Sequence, residues 1–190
     1  MTIKPKLRKC KAKGCHVRFV PAKPWIAFCS DDCGLTLALA ALEKIKAQKA
    51  KAERKELAAR KMAIKPRQYW LKRAEKAVNE YCRERDLKAG YGCITCGTND
   101  AEQWHAGHWI SVGASSGTRY DPANIHLQCR QCNVFGGGRA QEYEARLPAR
   151  IGQDEVDRLK YAKKERSWTR EECQTIESEY KAKLKSLKAV

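Results

Sequence analysis

The chain has 190 residues, with 39 Lys and Arg against 22 Asp and Glu, ten Cys, only three Phe and a formal net charge of +17. That length holds one ordinary domain or two small ones, and with 32% of residues charged it excludes a large continuous apolar core. The longest apolar run, Leu35 to Leu42, is too short to span a bilayer, and no N-terminal segment has the apolar core of a signal peptide, so a protein of the reducing cytoplasm is expected.

The charge is uneven. Residues 1–90 hold 24 basic and 9 acidic side chains, whereas residues 91–190 hold 15 and 13. A polyanion is the expected partner of the first half, and DNA or RNA suits it better than a membrane. In a reducing compartment ten cysteines point to metal rather than disulfides, and eight of them fall into four close pairs.

Residues 1–9 carry four basic side chains and are expected to form a mobile arm. Cys10-x4-Cys15 and Cys29-x3-Cys33 follow, separated by Phe19-Val20-Pro21 and a turn at Lys23-Pro24 that predict a short hairpin. The second pair opens a helix, with Ser30 as N-cap and Asp31 and Asp32 in the first turn. Knuckle, hairpin and ligands at a helix start describe a treble-clef-like four-cysteine zinc finger over residues 1–35, with His16 as a substitute for Cys15.

The helical pattern continues from Asp31 to about Ala63. Leu35, Leu39, Leu42 and Ile45 form an apolar stripe expected to pack, and behind it Lys49, Lys51, Arg54, Lys55, Arg60 and Lys61 form a solvated basic surface suited to DNA. A second helix from about Arg67 to Leu87 puts Trp70, Ala74, Val78 and Tyr81 on one face and stops at Gly90. Residues 31–90 thus read as a basic helical arm. Cys82 and Cys173, outside the pairs, read as small buried hydrophobes.

Residues 91–148 hold the chemistry. Cys93-x2-Cys96 and Cys129-x2-Cys132, with 32 residues between the pairs, have the spacing of a second closed tetrahedral zinc site. Three of the four histidines, His105, His108 and His126, lie inside that loop. Gly136-Gly137-Gly138 then predicts a flexible turn before a short helix from about Arg139 to Arg146, ended by Pro148. In residues 149–190 a helix is predicted from Asp154 to Lys164. Thr169-Arg170-Glu171-Glu172 is a capping box opening a last helix that buries Ile176, Tyr180, Leu184 and Leu187.

A histidine at the end of one short strand, an asparagine on the next and a polar residue directly after the last zinc cysteine resemble the HNH (ββα-metal) nuclease motif, here His108, Asn124 and Asn133. The wording Trp104-His105-Ala106-Gly107-His108, Asp121-Pro122-Ala123-Asn124-Ile125-His126 and Cys-x-x-Cys-Asn before a Gly-rich loop is similar to the NinG/Rap recombination endonucleases of lambdoid phages. The likeness extends to the N-terminal cysteine pairs and the C-terminal Trp168-Thr169-Arg170-Glu171-Glu172.

The resemblance implies an α+β fold of small zinc-stapled modules around a ββα-metal unit. It also implies a metal-dependent, structure-selective DNA endonuclease of phage recombination, nicking D-loops and Holliday junctions in the cytoplasm of the bacterial host. His108 would be the general base, Asn124 would orient it, and Asn133 would hold a catalytic Mg²⁺ or Mn²⁺ in addition to two structural Zn²⁺. Related nucleases commonly carry a metal ligand directly before the base histidine, where this chain has Gly107. His105 fills that role if Gly107 permits a bulge; His126, two residues after Asn124, is the rival. Arg119, Arg130 and Arg139 lie close enough in sequence to reach phosphates. Two other classes stay open: a non-cleaving zinc-dependent DNA-binding protein, and an interaction protein whose long helix recruits a partner. Pairing of two chains through the apolar stripe, and contact with host or phage recombination proteins, belong to the same set of expectations.

Overall fold

A computed structural model describes residues 6–189. The first five residues of the expected N-terminal arm lie outside the described residues. The chain divides into two units, residues 1–64 and 65–190, so the stretch 31–90 expected as one arm is split between its two helices.

In the first unit, β1 (Arg8–Lys9) pairs antiparallel with β2 (Arg18–Phe19). The turn between them is the Cys10–Cys15 knuckle, not the Lys23-Pro24 turn expected from sequence. Two-residue strands carry no readable period, and the knuckle itself reverses the chain. Helix α1 (Asp31–Ala63) begins where predicted, with Ser30 Oγ accepting from the Cys33 N–H at 3.4 Å.

One expectation about α1 is overturned. None of its residues is buried, and Leu35, Leu39, Leu42 and Ile45 are 59%, 53%, 52% and 60% exposed, so no element of its own unit covers the stripe. The contact made at its first turn is the Phe28 ring against Gly34, where a Cβ would stand 3.0 Å from that ring. An unpacked helix of this length relies on its Ala-, Leu-, Lys- and Glu-rich composition and on i,i+3 and i,i+4 pairs such as Lys46–Glu43 and Arg60–Glu56.

The second unit is built on α2 (Arg67–Lys88), which buries Trp70, Leu71, Ala74, Ala77, Val78 and Cys82. It packs along α5 (Arg170–Ala189) and against a hairpin of β3 (Trp104–His108) and β4 (Ile125–Cys129). The Thr169 capping box forms in both directions: Thr169 Oγ1 accepts from Glu172 N at 3.1 Å, and Glu172 Oε2 accepts from Thr169 N at 2.8 Å. Tyr180 and Cys173 are buried, while Ile176, Leu184 and Leu187 are half-buried.

A buried ionic network joins α2 to β4. Asp86, 1% exposed, accepts from Leu127 N and from Arg85 Nε, both at 2.8 Å. Arg85 also donates to the carbonyls of Pro122 and Ile125 at 3.0 and 2.9 Å. With Ile94 N donating to Leu127 O at 2.8 Å, the outer edge of β4 is closed by side chains and loop rather than by a third strand.

Helix α3 (Ala140–Ile151) and helix α4 (Gln153–Lys160) close the other side around Ile94, Tyr143, Leu147, Val156 and Leu159. Pro148 does not end α3 as predicted. A proline inside a helix costs about 3 kcal/mol, and full burial of Tyr143 and Leu147 on the same helix offsets it. The helix ends instead at Gly152, whose φ of 85° a side chain would resist. Helix α4 stops four residues short of the predicted Lys164.

Candidate metal centres and active site

Each cysteine quartet gathers at one point. The thiol sulfurs of Cys10, Cys15, Cys29 and Cys33 lie within 4.8 Å of one another, as do those of Cys93, Cys96, Cys129 and Cys132. A tetrahedral ion with Zn–S bonds of about 2.3 Å requires sulfurs about 3.8 Å apart. The measured pairs agree: Cys15–Cys29 at 3.6 Å, Cys29–Cys33 at 3.7 Å and Cys96–Cys129 at 3.9 Å.

The donor chemistry points the same way. Burial opposes ionisation of Cys93, but backbone hydrogen bonds at Cys96, Cys129 and Thr95 outweigh it and bring the thiol down to about 7. Cys29 is pushed up to about 12, first by its contact with Cys15 and then by burial. Four thiolates cannot ionise together at one point without a cation, and a dication with soft ligands fits both quartets. With four protein ligands each, both sites would be closed and structural when an ion is bound.

The second quartet spans the hairpin base, and β3 carries His108 at the far end. The ladder runs residue for residue from Trp104 opposite Cys129 to His108 opposite Ile125, with no bulge. Side-chain alternation therefore sends His105 and His108 to opposite faces. The bulge that His105 needs to stand beside His108 as a ligand is not formed. Gly107 has a different reason to be glycine, since a Cβ there would overlap Gln128 Oε1. The Gln128 amide is buried and donates to Thr95 Oγ1 at 2.5 Å and to Gly138 O at 2.9 Å.

His108 is half-buried, and its Nε2 lies 3.1 Å from the Arg119 carbonyl, which accepts its proton. That fixes the tautomer and leaves Nδ1 as the basic nitrogen. Burial, the largest influence, moves its pKa below the usual histidine value, so the ring is neutral at pH 7. The loop that supplies this carbonyl is held on several sides. Arg119 pairs with Glu75 of α2, with Nη2 and Nε at 2.5 and 3.1 Å from Oε2. Tyr120 donates to Leu71 O at 3.0 Å, and Trp168 Nε1 to Ser116 O at 2.8 Å.

Asn124 lies in a 3₁₀ turn (Pro122–Asn124) just before β4, not on the strand, and is fully buried. Its Oδ1 accepts from Ile110 N at 2.8 Å, and its Nδ2 donates to Ile110 O at 2.9 Å and Thr118 O at 3.2 Å. None of these hydrogen bonds reaches His108. The amide staples both ends of the loop that carries Arg119, and so acts on the histidine through the backbone.

His126 is 2% exposed and locked in the Asp86 network, with Nε2 on Ala123 O at 3.0 Å and Nδ1 between Arg85 Nη2 at 3.0 Å and Asp86 Oδ2 at 3.4 Å. Both ring nitrogens are occupied, which leaves none to hold a cation. Asn133 is half-buried in a π-helical turn (Gln131–Phe135) directly after Cys132. Among the described residues, the two cysteine quartets are the groups of three or more His, Cys, Asp or Glu close enough to share one ion. His105 thus belongs to no such group, and Mg²⁺ is ordinarily held through carboxylates and substrate phosphates.

Of the basic residues expected at DNA, Lys49, Lys51, Arg54, Lys55, Arg60 and Lys61 are all exposed on α1, and Arg130 and Arg139 are exposed on either side of the π-helical turn. Arg119 is committed to Glu75. Glu75, Asp86 and Gln128 are not legible in the sequence, because a lone acidic residue in a charged helix and a glutamine in a strand carry no motif.

The chain is a small mixed α and β protein with two four-cysteine clusters that could each hold a zinc ion, and no helix among the described residues is long and apolar enough to cross a membrane. The chain belongs to the NinG family: the family model described as "Bacteriophage Lambda NinG protein" matches residues 2–189. It is 41% identical over 199 residues to the "Protein ninG" of Escherichia phage lambda, covering 99% of this chain and 97% of that one. The "Protein ninG" of Salmonella phage P22 is 41% identical over 192 residues, covering 95% and 94%, and that of Enterobacteria phage H19B is 38% identical over 199 residues, covering 97% and 96%. No solved structure matches the chain.

Proposed function

We propose that the chain is a divalent-metal-dependent endonuclease that nicks branched DNA, such as D-loops and Holliday junctions, during phage recombination. The observation that carries this reading is His108: a neutral imidazole at a hairpin end, with Nε2 fixed by the Arg119 carbonyl and Nδ1 left to take a proton from water. Asn124 and the Glu75–Arg119 pair hold that carbonyl, so the ring orientation does not depend on substrate. A hard divalent cation, completed by a substrate phosphate beside Asn133, would supply charge neutralisation on the phosphate and the departing oxygen. The exposed basic face of α1 supports polyanion binding.

A second reading has its own support. That no further group of three or more His, Cys, Asp or Glu gathers among the described residues favours a zinc-stapled DNA-binding protein that does not cut. Labelled three- and four-armed DNA incubated with zinc-loaded protein separates the two. Nicking that requires Mg²⁺ or Mn²⁺ supports the enzyme, and tight binding without nicks in either cation supports the second reading.

A further inference from the structure

The π-helical turn ends in two exposed apolar side chains, Val134 at 51% and Phe135 at 66% exposure. Their base is rigid. Cys132 belongs to the zinc quartet, Gly136 N donates to Gln131 O at 2.8 Å, Gly138 N donates to Cys132 O at 3.0 Å, and Gln128 holds Gly138 O from below at 2.9 Å. Apolar groups this exposed on so well-anchored a turn are not explained by packing, and π-helical turns recur at functional sites.

The surroundings identify the partner. The Arg130 guanidinium lies 5.2 Å from the Phe135 ring centroid, and the residue stays 66% exposed beside it. Arg139 follows the turn, with its side chain against Gly136. With φ of 46°, it is the non-glycine residue of positive φ among the described residues, a strained conformation of the kind retained where a side chain must be presented in one direction. Phe135, Arg130 and Arg139 line a cleft of about 380 Å³ together with Asp100, Glu102 and three cysteines of the second quartet, Cys96, Cys129 and Cys132. The two carboxylates disfavour a free phosphate there, whereas the two arginines favour the phosphates of a longer anionic ligand. A neutral planar group carried on an anionic backbone satisfies both conditions.

We infer that Val134 and Phe135 form a wedge that stacks on an unpaired nucleobase at a DNA branch point, with Arg130 and Arg139 on the flanking phosphates. In an intact duplex the bases are stacked on each other and unavailable, so the wedge reads the branch without reading sequence. The inference rests on branched DNA being the ligand, as proposed above, but not on the chain cutting it.

The test compares affinity of the full-length zinc-loaded protein for a three-armed DNA with two unpaired bases at its centre and for a linear duplex of the same length, without divalent cation so that nicking plays no part. Phe135→Ala should weaken binding to the branched DNA roughly 5- to 150-fold, the range for removal of one base–aromatic stack. Linear binding should change less than about twofold, within the range of an ordinary surface substitution. Phe135→Tyr, which keeps an aromatic face, should restore branched affinity at unchanged zinc content. Equal losses on both DNAs, no loss on either, or a Tyr variant as weak as Ala would each overturn the wedge. Wild-type protein that prefers the branched DNA but never nicks it refutes the enzymatic reading alone and leaves the wedge supported.

Discussion

Replacing Asp86 with Asn should be among the most damaging single changes in the second unit. The carboxylate is 1% exposed and accepts from Leu127 N and Arg85 Nε, with His126 Nδ1 at 3.4 Å and Arg150 Nη1 at 3.5 Å from its Oδ2. Burial opposes its charge, yet its neighbours His126 and Arg85 prevail and hold its pKa at about 2, against 3.8 for a free side chain. That depression corresponds to about 2 kcal/mol of stability. Because the folded pKa is the lower one, this contribution is present above pH 4 and is lost as pH falls through 2. Asn removes it and also leaves Arg85 charged and uncompensated beside β4, which raises the expected cost to about 3–5 kcal/mol. Urea unfolding of zinc-loaded protein at pH 7 should show that loss, and the gap between wild type and variant should narrow between pH 4 and 2. A cost under about 1 kcal/mol, or a gap independent of pH across that window, would refute the network as the tie between α2 and β4.

Elemental analysis should give about two Zn²⁺ per chain, as two closed quartets require; one or none contradicts the assignment. Gly107→Ala places a methyl on Gln128 Oε1 and should cost about 1–3 kcal/mol, read as a fall in thermal midpoint of several degrees; an unchanged midpoint would mean that the Gln128 amide is free to move. Changing Lys49, Lys51, Arg54, Lys55, Arg60 and Lys61 together to Gln keeps helix propensity and should flatten the salt dependence of DNA affinity by about 0.9 for each phosphate no longer neutralised. A slope equal to that of wild type would remove α1 from the DNA interface.

The helices were the most legible part of this chain. Helices α1 and α2 and the Thr169 capping box fall where periodicity and capping residues put them, because those signals act within one turn of helix. The cysteine quartets were equally plain, since a metal demands a fixed number of ligands at short spacing. What escaped depended on contacts distant in sequence. The stripe on α1 carries the pattern of a buried face, but no element of its own unit covers it, and periodicity says only that a face is apolar. Pro148 ends isolated helices, yet here the burial of Tyr143 and Leu147 decides.

The candidate site divides along the same line. His108 and Asn124 could be singled out as residue types, but the group that orients His108 is a backbone carbonyl, which has no signature in a sequence. Asn124 acts through the loop between Ile110 and Thr118 rather than on the ring. Val134 and Phe135 left a faint sign, two apolar residues between a zinc cysteine and three glycines, where a turn would ordinarily be polar.

The central claim, that His108 is the base of a DNA-cutting site, is tested most directly by measuring nicking and binding of one branched DNA by wild type and His108→Ala side by side, with Mg²⁺ or Mn²⁺ present. A base acts on water and contributes little to holding DNA. The variant should therefore lose nicking by at least about 100-fold, the low end of general-base contributions, while its affinity and zinc content stay at the wild-type level. Wild-type protein that does not nick, or a variant that loses binding and zinc together with activity, would contradict the assignment and make His108 a structural residue of the hairpin.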